Sequence, residues 1–304
     1  MLRTVHGDLS ADVIRGAVLP HEHLAMHYEQ EGPEAGVTRS DLVIAELTEL
    51  GEAQTLGLVV ELSCHGLGRD IQGIAAISAE SGVPVVAATG YYWGRFHSPY
   101  VASADVDALT ELLLREIEDG IDGTGIRPGV IGEVGSDGEW PTRAEERCLR
   151  ASAGAAVASG LAMCTHANLG PGGPGQLEIL TSEGLPPERV SIGHQDLIDD
   201  PGVHRELASA GAYVAFDTVG KDAYQSDDVR LRNVVRLIEA GHADRVLLST
   251  DVSRDAYLER EGGGYGFLFR SFLPRLRSAG VPEETIELIT RVNPLRLLQS
   301  GRSD

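Results

Sequence analysis

Six side chains in this sequence are of the types that hold divalent metal ions: His21, His23, Glu133, His166, His194 and Asp251. Each falls at the end of a short apolar run. His21 and His23 are two residues apart, so on a strand both point to one side and reach one ion, while Glu22 points the other way, towards structural contacts. Two histidines, an aspartate and a shared carboxylate suit one ion. Two further histidines and the same carboxylate suit a second, and a carboxylate bridges ions about 3.5–4 Å apart. The chemistry of such a pair is hydrolysis. Two ions lower the pKa of a shared water towards neutrality, and one of them polarises a carbonyl or phosphoryl oxygen. Asp251, facing that water, would accept its proton and pass it to the leaving group. An HxH pair alone is a weak motif, and a lone strand-end histidine is more often a core or surface residue. The weight rests on four histidines and two carboxylates sharing one kind of position.

Those positions follow from a repeating unit of strand then helix. Apolar runs occur at 16–20, 56–63, 83–90, 129–134, 161–166, 189–194, 212–217 and 245–250. Each is apolar nearly throughout, as a strand covered on both faces should be. Amphipathic stretches between them predict helices at 40–56, 71–81, 104–119, 142–159, 176–183, 201–210, 229–240 and 266–279, with a last one at 282–300. Ser40-Asp41 starts one of these, and Thr142 with Glu145 reads as a capping box before another. The step is about 33 residues, natural for a βαβ unit, and eight units predict an α/β fold, a closed (β/α)8 TIM barrel forming a single domain over 1–304. A doubly wound sheet is the alternative, but no GxGxxG follows the first strand. In a barrel the C-terminal strand ends form the active rim. Of the other histidines, His65 and His97 follow strands two and three and are candidates for the pocket. His204 and His242 read as solvated.

The formal charge of −21 argues against a nucleic-acid or anionic-membrane partner, which would require excess positive charge. Three cysteines are an odd number in a long chain, which argues against a disulfide framework. The N-terminal segment has no apolar signal region and no stretch is long and apolar enough to span a bilayer. The expectation is a cytoplasmic protein without a membrane partner.

The chain also resembles a known family. The segments LPHEHL (19–24), ELSCHGLGRD (61–70), AATGYYWG (87–94), GVIGEVGSD (129–137), CTHANLG (164–170), SIGHQDLIDDP (191–201), FDTVGKD (216–222), LLSTDVSRD (247–255), the glycine-led stretch 262–280 and NPLRLL (293–298) are similar, in order, to those of the phosphotriesterase-related proteins of the amidohydrolase superfamily. The resemblance implies two divalent ions per chain, zinc first, with manganese or cobalt as alternatives. It implies His21, His23 and Asp251 on the more buried ion and His166 and His194 on the more exposed one. Many members bridge the ions with a carboxylated lysine on strand four; here Glu133 takes that place, as in the glutamate-bearing branch. It also implies a homodimer, and it puts Tyr92 where related lactonases keep a tyrosine near the bridging water and substrate.

Substrate contacts must come from the loops after the strands. Lys221 and Arg254 are candidates for binding a carboxylate or sulfonate on a small-molecule substrate. Glu61 and Asp217, at the ends of strands two and seven, are candidates for orienting ligating histidines. The glycine- and proline-rich loop 168–175 would shape the pocket, and Gly262-Gly263-Gly264 would turn near its mouth. The reading is a metal-dependent hydrolase acting on a lactone, carboxylic ester or N-acyl amide. Phosphotriester hydrolysis, a metal-dependent nuclease and a non-catalytic small-molecule binder are the alternatives.

Overall fold

The computed structural model describes residues 1–28, 30–32, 35–259 and 263–300. Its centre is an eight-stranded sheet in which sequential strands are neighbours and every pairing is parallel. The strands are β1 (Ala17–Glu22), β2 (Leu56–Glu61), β3 (Val85–Thr89), β4 (Val130–Ser136), β5 (Met163–Ala167), β6 (Val190–Ile192), β7 (Tyr213–Phe216) and β8 (Val246–Leu248). All lie within the apolar runs of the sequence or overlap them. Between them run α1 (Ser40–Glu52), α2 (Ile71–Ser81), α3 (Val106–Asp119), α4 (Arg143–Ser159), α5 (Gly173–Ser182), α6 (Pro201–Ala210) and α7 (Asp227–Glu239). The eighth helical region begins as a π-helical turn, Leu268–Phe272, and continues as α8 (Leu273–Ser278). The fold is a nearly closed TIM barrel.

The apolar runs are explained by two cores. Val18, Leu58, Val60, Val86, Val130, Ala215 and Leu247 fill the barrel, plugged at its base by Leu2 and Leu298. Their chain neighbours Leu19, Val59, Val85, Ile131, Val214 and Leu248 point outward and pack beneath the helices. The capping box at α4 is present: Thr142 Oγ1 accepts from Glu145 N, and Glu145 Oε2 accepts from Thr142 N at 2.8 Å. At α1 the sequence signal misleads. Ser40 is already helical, Arg39 is the cap position without a side-chain bond, and the Asp255 carboxylate accepts from the N–H groups of Thr38 and Arg39 instead. The last helix predicted from sequence is broken by a second π-helical turn at Leu288–Val292. Two small hairpins, Leu2–Thr4 with Gly7–Leu9 and Met26–His27 with Gly36–Val37, lie outside the barrel sheet.

Among the described residues no ladder pairing joins β8 to β1, and the Glu22 side chain bridges that seam. Glu22 is buried, and its Oε1 accepts from Ser249 Oγ at 2.7 Å, Thr250 N at 2.8 Å and Thr250 Oγ1 at 2.7 Å. Its Oε2 accepts from Val252 N at 2.8 Å. The expectation that Glu22 turns away from the histidine side towards structural contacts is met, and the contacts are in the segment just after the last strand.

All three cysteines are buried and unpaired. Among the described residues no helix is long and apolar enough to cross a membrane. His204 corrects the sequence reading: it is buried, bonded through Nε2 to Gln195 O at 2.7 Å and packed on Phe216, not solvated. Gly262 of the glycine run lies outside the described residues.

Candidate metal centre

Irregularities in the strands bring the six side chains together. In β1 the pairing with β2 gains an extra residue between Leu19 and Glu22, and in β4 the pairing with β5 gains one between Ile131 and Val134. A bulge reverses the alternation beyond it. Hence His21 and His23 turn into the barrel mouth although Leu19 faces the helices, and Glu133 turns inward although Ile131 faces outward. His194 and Asp251 lie just beyond short strands, with φ of 59° and 46°. These left-handed conformations re-aim them, and such strain gathers at functional positions. Gly193 beside them must be glycine, since a Cβ there would lie 2.1 Å from Thr165 O.

The donors converge on Glu133. Its Oε2 lies 3.0 Å from His21 Nε2 and 3.1 Å from His166 Nδ1, and its Oε1 lies 3.3 Å from His23 Nε2. His194 Nε2 is 3.8 Å from Glu133 Oε2 and 2.8 Å from His166 Nδ1. Asp251 Oδ1 is 3.3 Å from His23 Nε2 and 3.9 Å from His21 Nε2. The sets His21, His23, Glu133 and Glu133, His166, His194 are each compact enough to hold one ion. A third compact set, His21, His194 and Asp217, has another use: there the histidines engage Asp217 through Nδ1.

The opposite faces of the rings are held. His21 Nδ1 lies 2.7 Å from Asp217 Oδ2, and His194 Nδ1 lies 2.9 Å from Asp217 Oδ1. His23 Nδ1 lies 2.8 Å from Ser63 Oγ, which donates in turn to Glu61 Oε1. With Nδ1–H so engaged, the Nε2 lone pairs face the centre, the arrangement that orients histidines towards metals. His21 Nε2 is buried and makes no hydrogen bond of acceptable geometry, although Glu133 Oε2 lies 3.0 Å away. A buried nitrogen acceptor in that state is unfavourable unless a cation takes it. Four imidazoles and two carboxylates are also the donors that such ions prefer. The residues fit a pair of divalent metals.

The electrostatics agree. Burial opposes charge on Glu133, yet His21 and His166 outweigh it and hold its carboxyl well below the usual range. Burial likewise opposes charge on Asp251, and Lys221, His23 and His21 hold it low. Burial, with Glu133 nearby, pushes the Tyr92 phenol well above its ordinary pKa, so it stays a hydrogen-bond donor.

Beside the centre is a cavity of about 110 Å³. Tyr92 lines it, with its ring 4.7 Å from that of His166, and His97 bonds Tyr92 O at 2.7 Å. Lys221 also lines it, buried, with Nζ bonded to Asp251 Oδ2 and 3.1 Å from Ser253 Oγ. Arg254 stands at the rim: it bonds Glu31 Oε2 at 2.7 Å and lies 4.6 Å above the Tyr28 ring. His65 is not brought to the cavity; it pairs with Glu116 at 3.2 Å. Sequence reasoning missed Tyr28 and Ser253, which line the cavity, and Ser63. Ser63 alone carried a signal, being two residues past Glu61 at a strand end.

A model of the phosphotriesterase family matches residues 1–298. The chain belongs to the phosphotriesterase family. This family is binuclear and metal-dependent, so the chain is a metal-dependent hydrolase acting on small molecules. Among phosphotriesterase-family relatives, the phosphotriesterase homology protein of Escherichia coli is 35% identical over 288 residues, 93% of this chain and 98% of that protein. The N-acetyltaurine hydrolase of Rattus norvegicus is 32% identical, covering 80% of this chain and 73% of that protein. The crystal structure of a lactonase from Listeria monocytogenes superposes with a TM-score of 0.92 at 25% identity, covering 99% of each chain.

Proposed function

We propose that this phosphotriesterase-family hydrolase cleaves a small molecule at an electrophilic carbonyl: a lactone, a carboxylic ester or an N-acyl amide. The observation that carries the reading is the cavity of about 110 Å³ directly against His166, His194 and Asp251, behind which lies Glu133. A planar carbonyl with two substituents suits so small a space better than a tetrahedral phosphotriester with three. Lactone, ester and amide share one attack and differ in the leaving group. The lactonase and the N-acetyltaurine hydrolase among the relatives represent both ends of that range.

His21, His23 and Asp251 would hold one ion and His166 and His194 the other, with Glu133 between them; zinc suits this nitrogen-rich set. When bound, the ions supply a water acidified towards neutral pH and polarisation of the scissile carbonyl. Asp251 Oδ1 faces the centre and would take the proton of the attacking water and pass it to the leaving group. Lys221 Nζ holds the other oxygen, so one face of the carboxylate is left for that proton. Tyr92, kept protonated, donates from the cavity wall to the substrate oxygen. With Lys221 engaged by Asp251, it meets an anionic substituent only by sharing its remaining protons, and Arg254 does so only from the rim.

Elemental analysis by mass spectrometry of the purified chain, with a turnover screen of lactones, N-acyl amino acids, N-acyl taurines, aryl esters and a phosphotriester, tests the proposal. Two ions per chain and carbonyl turnover are expected. One ion or none overturns the binuclear arrangement, and faster phosphotriester turnover overturns the substrate class.

A further inference from the structure

Lys221 is the only lysine among the 25 lysine and arginine residues of the chain. It is buried, and its ammonium meets Asp251 Oδ2, lies 3.1 Å from Ser253 Oγ and stands 4.8 Å from the centre of the Tyr257 ring. An ammonium is a compact point charge, whereas a guanidinium is a planar fork that asks for acceptors spread along its edges. The ammonium also ends a flexible stem of four carbons, so its place is only as exact as that of the backbone that carries it.

That backbone is held from α7. Arg230 is wholly buried, and its five N–H groups have five acceptors. Nε donates to Asp196 Oδ2 at 2.6 Å. Nη1 donates to Asp227 Oδ1 at 2.9 Å and to Gln225 O. Nη2 donates to Thr218 Oγ1 at 2.8 Å and to Lys221 O at 3.3 Å. Thr218, Lys221 and Gln225 belong to the loop after β7, while Asp196 follows β6 and Asp227 opens α7. The two aspartates grip the same loop: Asp196 Oδ2 accepts from Thr218 N at 3.2 Å, and Asp227 Oδ1 accepts from Gly220 N at 3.0 Å. A cation taken out of water is costly even when paired, and apolar side chains would fill the same space without that cost. What they would not provide is a fixed path for residues 218–225. Arg230 is not among the side chains that line the cavity.

We propose that Arg230 is a positioning residue of this hydrolase: it fixes the loop after β7 so that the Lys221 ammonium meets Asp251 and aims its carboxylate. The proposal rests on the reading of Asp251 as proton acceptor given above. With Lys221 in place, Oδ2 is engaged and Oδ1 is turned to the centre. A loop that shifts withdraws the ammonium and lets the carboxylate rotate, and a misplacement of about 1 Å costs on the order of 100-fold in rate. Arg230 acts through Lys221, so its contribution to rate disappears when the ammonium is absent.

The test uses the metal-loaded protein. Since the chain has one lysine, reductive methylation reports on Lys221 and the N-terminal amine, which peptide mass spectrometry separates. Lys221 should react slowly in wild type and about tenfold faster or more in Arg230→Gln, as the loop opens. In that variant kcat should fall roughly 10- to 100-fold with KM little changed, as for a loss felt in the transition state. In a Lys221→Met background the same substitution should lower kcat by less than about twofold, while its cost in urea unfolding stays the same. Asp227→Ala, which withdraws an acceptor from Arg230 and from Gly220 N, makes the same test if Arg230→Gln does not fold. Methylation at the wild-type rate in the folded variants, an unchanged kcat, or an equal loss of kcat in both backgrounds overturns the proposal. Faster methylation in the variants, with no turnover of any carbonyl substrate by wild type, supports the hold on Lys221 and overturns the catalytic reading.

Discussion

Asp217 holds His194 twice, its Oδ1 accepting from both the backbone N–H and ring Nδ1 of that residue at 2.9 Å. Its other oxygen engages His21 at 2.7 Å, so one carboxylate at the end of β7 orients a histidine of each candidate ion site. Asp217→Asn should therefore weaken both sites together, by about 10–100-fold in metal affinity, with circular dichroism unchanged. Titration with a competing chelator measures this; loss at only one site would contradict the shared role.

Asp251 offers one oxygen to the centre and the other to Lys221. Asp251→Asn should keep a folded protein and lower kcat by about 10²–10⁴-fold. An unchanged kcat would exclude Asp251 as the proton acceptor.

Glu22 bears on stability instead. Glu22→Ala leaves the N–H groups of Thr250 and Val252, both buried, without their acceptor and should cost about 3–5 kcal/mol in urea unfolding. Glu22→Gln keeps the shape and one acceptor oxygen, and should cost less, about 1–3 kcal/mol. Equal stability of both variants and wild type would mean that the seam closes without this carboxylate.

Glu116 gives the fold an acid limit. Burial opposes its charge, but His65 and Arg69 outweigh that and bring its pKa from 4.5 down to about 2. The folded value lies below the unfolded one, so the stabilisation is fully present above pH 4.5 and is lost as pH falls towards 2. Between pH 6 and pH 3 wild type should lose about 2 kcal/mol through this group, and Glu116→Gln should lack that part of the slope. Urea midpoints at the two pH values measure it; parallel slopes would rule the group out.

The barrel was legible because a strand buried on both faces must be apolar nearly throughout, and such runs recur at even spacing. The positions of the six candidate ligands were legible for a related reason: a charged or imidazole side chain ends or follows most of these runs, where burial gives way to the mouth. The aim of these side chains was less so. Alternation carried from Leu19 or Ile131 would send His21 and Glu133 towards the helices, and the bulges that reverse it leave no mark in composition. Tyr28 stands just past the first strand of the hairpin Met26–His27 with Gly36–Val37, and nothing in its sequence neighbourhood marks it as a cavity residue. Lys221 and Arg254 read as free cations because their partners, Asp251 and Glu31, are distant in sequence.

The seam closed by Glu22 also has a consequence for the order of events during synthesis. The HxH pair emerges from the ribosome long before Ser249, Thr250 and Val252, the groups that tie its strand across the seam. That contact joins residues 228 positions apart, and contacts of such separation are slow to close. Until then His21 and His23 lie on an unfastened edge, away from Asp217 and Asp251. Metal capture in the mature geometry therefore waits on the segment after β8, and a nascent chain stalled before β8 would present an incomplete ligand set.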